Sequence, residues 1–236
     1  MAKMMRKQSG FTLIEIAIVL VIIGLLLGGV LKGQELITSA RVRNLISQQD
    51  GIKAAFFGFQ DRFRALPGDY NRASTTINCT PACTDGNGNG RIESIVSGGT
   101  IDEQIAVWEH LSKSGFINGS YAYAAAPPTN NSAAVNPYNV FVDLEYDRIY
   151  GDPNAAGYAT QPLRHNLKTG NQVPVEILAE VDRKVDDGDP FRGAFMFAAQ
   201  GTATVANCAV AGGAGAPNQW KTTGTTSVDC AGTSVF

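Results

Sequence analysis

From Phe11 to Leu31 the chain reads FTLIEIAIVLVIIGLLLGGVL, 21 residues with a single charge, Glu15. At about 1.5 Å of rise per residue such a helix spans ~30 Å, the thickness of a bilayer's hydrocarbon core. Three bases and no acid precede it (Lys3, Arg6, Lys7). That flank predicts a cytoplasmic N-terminus with the following chain exported. A cleaved secretory signal fits poorly, because no small-x-small site follows the run and the apolar pattern continues past it. A plain membrane anchor leaves Glu15 unexplained. A carboxylate inside an apolar span costs a few kcal/mol unless something compensates it.

The same helical period continues beyond Leu31. Apolar residues recur at Leu36, Ile37, Ala40, Leu45, Ile46, Ile52, Ala55, Phe56 and Phe59, with polar residues between them. Pro67-Gly68 ends the pattern, and helical geometry is disfavoured at Leu66 before the proline. The spacing predicts one helix over residues 11–65, roughly 80 Å long at the standard rise. Its first half is apolar all round and its second half is amphipathic, which demands a domain to lie on. Gly24, Gly28, Gly29, Gly33 and Gly51 lower helix propensity; close helix contact and local melting both account for them.

The string Gly10-Phe11-Thr12-Leu13-Ile14-Glu15 resembles the processing site of type IV prepilins and of the related pseudopilins of type II secretion. The resemblance covers residues 1–35. It implies a leader at residues 1–10, removed after Gly10 by the prepilin peptidase, and methylation of the new amine on Phe11. It further implies that Glu15 meets the charged Phe11 amine of a neighbouring subunit. Such a pair offsets its desolvation only when both charges meet, so it would set the stagger between subunits. The implied partners are other pilin-like subunits, the peptidase and an inner-membrane assembly platform. The implied location is the inner membrane as a single-pass precursor (transmembrane 11–31), then an extracellular or periplasmic filament.

Composition bounds the rest. The chain carries 19 Lys+Arg against 21 Asp+Glu, which argues against a nucleic-acid partner. Without residues 1–10 it would hold 226 residues at a net charge of −5. Residues 66–236 are rich in Gly, Ala, Asn and Thr and are predicted to form a globular head. Thr100-Ile101-Asp102-Glu103 has the form of a capping box ahead of Ile105, Trp108 and Leu111, with Gly115 as the stop. Residues 140–146 alternate as a strand. Ala194–Ala199 and Gly201–Val205 are further strand candidates. Pro174, Ile177, Leu178, Val181 and Val185 predict a helix ending at Gly188. Ala124–Ala134 reads as a loop. The expected class is α+β: a long N-terminal helix on a small, mostly antiparallel sheet, pilin-like.

Four cysteines in an exported head favour disulfides over free thiols. They admit three pairings. Cys79 with Cys83 and Cys208 with Cys230 each close a local loop, and the second resembles the C-terminal disulfide loop of many pilins. A CxxxC with two distant cysteines matches zinc spacing poorly.

Asp85, Asn87, Asn89, Arg91 and Glu93 present the opening of an EF-hand-like calcium loop, with glycine at the sixth position. Val96 stands where the twelfth-position acid belongs, and Glu93, Asp102 or Glu103 would have to substitute. The competing reading is an Asn-Gly turn that holds no ion. The acidic run 182–189 reads as a solvated helix end.

Enzymatic signatures are missing from the sequence. It has two histidines, His110 and His165, and no GxSxG, HExxH or phosphate-binding glycine loop. No catalytic residue is assigned. A structural filament subunit is the expected function. The alternatives are a minor pseudopilin of type II secretion, or an adhesive minor pilin at a filament tip with its activity in exposed loops such as those around Tyr121 or Trp220.

Overall fold

The computed structural model describes residues 12–94, 101–125, 127–213 and 216–236. Gly10 and Phe11 lie outside the described residues. The chain divides into two units, one reaching to Ala40 and one from Arg41 to Phe236.

Helix α1 (Leu13–Phe63) is continuous, 51 residues long. It stops two residues short of the sequence expectation because Arg64 turns left-handed, at φ 55, ahead of Pro67. In the first unit every residue from Thr12 to Leu31 is exposed. A Cβ built on Gly24, Gly28, Gly29 or Gly33 would meet nothing within 4 Å.

In the second unit the remainder of α1 buries Val42, Leu45, Gln49, Ile52, Phe56 and Phe59. Steps of three and four put these residues on one stripe. Val42 and Leu45 enter one core cluster, with Leu178 and Val181 of α4 (Val175–Val185) and Phe195 and Phe197 of β3 (Phe195–Phe197). Ile52, Phe56 and Phe59 enter a second, with Trp108 and Leu111 of α3 (Glu103–Lys113), Leu144 and Leu167. Each large side chain so buried contributes ~1.5–3 kcal/mol of transfer free energy.

The main sheet has four strands in the order β1-β2-β6-β3, all antiparallel: β1 (Asp143–Asp147), β2 (Arg164–Lys168), β3, and β6 (Gly232–Val235). A two-stranded ribbon joins β4 (Ala209–Val210) to β5 (Gln219–Trp220). Two helices have four residues each, α2 (Ala73–Thr76) and α5 (Val205–Cys208), and a 3-10 turn spans Tyr158–Thr160. The long N-terminal helix on a small antiparallel sheet is the α+β, pilin-like layout.

Several local expectations change. The cap of α3 is Asp102, whose carboxylate accepts from the Gln104 N–H at 3.1 Å; Thr100 lies outside the described residues. Gly115 does take the left-handed stop, at φ 83. The strand expected over 140–146 begins at Asp143, and Phe141 instead bridges to Val135. Gly201–Val205 forms no strand, because Gly201 turns at φ 57 and Val205 opens α5. β2 and β6 had no counterpart in the sequence reading.

Candidate functional site

Glu15 sits in the first turn of α1. Its Oε2 accepts from the Thr12 N–H at 2.8 Å and the Thr12 hydroxyl at 2.7 Å, while its own N–H donates to Thr12 Oγ1 at 3.3 Å. This is a reciprocal capping box: the Thr12 and Glu15 N–H groups are satisfied within the chain. The signal was present in the sequence as Thr12-x-x-Glu15, and only the charge of Glu15 drew attention there. The apolar residues that follow are all exposed, and α1 is long and apolar enough to cross a membrane.

In the head, the calcium-loop candidates are placed as follows. The two oxygens of Asp85 accept from the Ser74 N–H and hydroxyl, both at 2.7 Å, holding the first turn of α2. Asn87 Oδ1 accepts from Asn89 N, and Asn89 Oδ1 from Arg91 N, each at 2.8 Å. Arg91 lies over the Tyr146 ring at 5.6 Å and 3.9 Å from Glu93. Two further carboxylates hold the loop, Asp69 and Glu103, the second of them one of the stand-ins for the twelfth-position acid. Asp69 accepts from the N–H groups of Asn89 (2.9 Å) and Gly90 (2.8 Å). Glu103, fully buried, accepts from Asn87 N (3.0 Å) and Glu93 N (3.2 Å). Burial pushes Glu103 up to about 7 against those hydrogen bonds. The loop lies so close to the Leu66–Tyr70 turn that a Cβ on Gly86 would meet the Gly68 carbonyl at 2.3 Å. A cation here would share oxygens that already accept hydrogen bonds. No sequence pattern links Asp69 to the loop it holds, so it went unseen.

Residues 5–31 match the family model of the prokaryotic N-terminal methylation motif. The match supports the resemblance to type IV pilin and pseudopilin precursors over this N-terminal segment. A motif of this kind is the one that prepilin peptidase processes in such precursors. No curated protein and no solved structure matches the chain.

The head closes both of its cysteine loops: Cys79 bonds to Cys83 and Cys208 to Cys230, with Cα–Cα distances of 5.4 and 5.6 Å. Both of its histidines pack against aromatic rings. His110 is fully buried against Phe59, and burial holds it below its ordinary value. His165 packs against Phe56 and Tyr146, and burial lowers it to about 4. The acidic run 182–189 is not simply a solvated helix end, because Asp182 is fully buried and accepts from Trp220 Nε1 at 2.7 Å. Asp186 and Asp187 bring carboxylate oxygens within 4.8 Å of it.

Proposed function

We infer that the chain is a structural subunit, cleaved after Gly10, methylated on Phe11 and polymerised through its N-terminal helix into a type IV pilus or a related filament. One observation carries this reading. The half of α1 bearing the methylation motif presents apolar side chains on every side and buries none from Thr12 to Leu31. A surface of that kind needs lipid before assembly and neighbouring helices after it. Within the lone chain Glu15 is held by Thr12; in the filament it exchanges that hydrogen bond for the Phe11 amine of the next subunit. The precursor is thus a single-pass inner-membrane protein with a cytoplasmic leader.

Glu15→Ala tests the reading. The variant is expected to be processed and retained in the membrane yet missing from sheared filaments. Normal filament yield would overturn the pairing role. Electron microscopy of cells lacking the protein separates the two filament classes. Loss of surface fibres marks a pilus subunit, whereas intact fibres with retained exoproteins mark a pseudopilin.

A further inference from the structure

The β1–β2 pairing places Asp143 opposite Lys168, Glu145 opposite Asn166 and Asp147 opposite Arg164, so these six side chains share one sheet face. Lys168 is 1 % exposed, and the Glu145 and Asp147 side chains are 18 % exposed. The Lys168 amine lies 2.6 Å from Asp147 Oδ2 and touches Glu145 Oε1. The remaining Asp147 oxygen, Oδ1, accepts from Asn166 Nδ2 at 2.7 Å and from the Ile149 N–H at 3.0 Å. Asn166 is oriented for this by the Thr233 hydroxyl, which donates to its Oδ1 at 3.0 Å. Gln104 donates to Glu145 Oε2, and Gln200 to Asp143, whose carboxylate also faces the amine.

We propose that Lys168 and Asp147 are joined by an intramolecular amide bond, formed in the folded head with Glu145 as the proton carrier. Burial lowers the Lys168 ammonium to about 8 and raises the Asp147 carboxyl, so proton transfer between them towards the neutral, reactive pair is eased. The amine nitrogen attacks Asp147 Cγ and the N–C bond forms. Negative charge develops on Oδ1, where the Asn166 and Ile149 N–H groups already point. Glu145 takes the proton leaving Nζ and passes it to Oδ2; the C–O bond breaks and Oδ2 departs as water. One amide and one water result, with no oxidant or co-reactant. Asp147 is the acyl partner rather than Glu145 because two donors hold its spectator oxygen, and one of them is backbone. The bond would tie β1 to β2 covalently.

Peptide mapping of the full chain, purified from membranes in detergent, tests this. The expected product is a branched peptide joining the Asp147 and Lys168 segments, lighter than the two together by one water. In Glu145→Gln the two segments should separate, each at its full mass. Unlinked segments in the wild-type protein would overturn the proposal outright, as would a branch through Glu145. A link that persists in Glu145→Gln would overturn the proton-carrier role.

Discussion

The Gly68 N–H donates to Nδ1 of His110 at 2.8 Å, while Nε2 of the same ring lies 2.7 Å from the Thr84 carbonyl. One neutral imidazole therefore joins the turn after α1 to the cysteine loop, with its proton on Nε2. His110→Phe keeps the stacking on Phe59 but leaves the buried Gly68 N–H and the half-buried Thr84 carbonyl without the imidazole, and should lower stability by about 2–4 kcal/mol in urea denaturation. Burial holds the native imidazole below its ordinary value of 6.5, so the unfolded chain takes up a proton that the native state refuses. The wild-type advantage should therefore shrink as pH falls below about 6.5.

Asp182 has the opposite sign. Burial pushes its carboxyl up to about 6, with Asp186 and Asp187 adding to the rise and Trp220 Nε1 opposing it. A raised native value means its contribution is fully present below about 4 and lost as pH rises through about 6. Asp182→Asn keeps an acceptor for Trp220 and removes this dependence. The variant should match or exceed the wild type at pH 8. At pH 4 the wild type should recover by up to about 2–3 kcal/mol. Denaturation followed by tryptophan fluorescence at both pH values checks it.

The parts of the fold that showed in the sequence are those with apolar periodicity. α1 and α4 carry the stripes Val42–Leu45–Ile52–Phe56–Phe59 and Ile177–Leu178–Val181, and β3 is a short apolar run. β2 and β6 carry no such signal. Their buried residues include Asn166, Lys168, Thr233 and Ser234, made tolerable only by partners across the sheet. Polar burial of that kind is a tertiary fact with no local trace. The same holds for the polar groups of the head. Glu103 was visible as a helix-start acid and as one stand-in for the calcium loop's twelfth position, but not as an acceptor of backbone N–H groups, and Asp69 not at all, because their partners lie between 10 and 21 residues away. Glu15 stood out for the reverse reason: a charge inside an apolar run is conspicuous without any structure.

The two disulfides should differ in worth. Cys208–Cys230 closes a separation of 22 residues and Cys79–Cys83 one of 4. Chain entropy gives about 3 kcal/mol for the longer loop and about 2 for the shorter. The longer bridge also anchors α5 to the segment where Cys230 pairs with Val173 at 3.1 Å in both directions, inside the core that holds Trp220. Replacing Cys208 and Cys230 with serine should thus lower Tm more than replacing Cys79 and Cys83, by calorimetry on the oxidised proteins.

Asp85 gives a test that separates a structural from an ion-binding loop. Each of its oxygens accepts one hydrogen bond from Ser74, so Asp85→Ala should cost about 1 kcal/mol in calcium-free buffer through the lost helix-start contact. If the loop holds calcium through Asp85, adding the ion should raise the wild-type Tm and leave Asp85→Ala unmoved. If the hydrogen-bonded turn is the whole role, the gap between the two proteins should be the same with calcium as with a chelator. Thermal melts of both proteins in the two buffers distinguish these outcomes, because a cap is indifferent to calcium and a ligand is not.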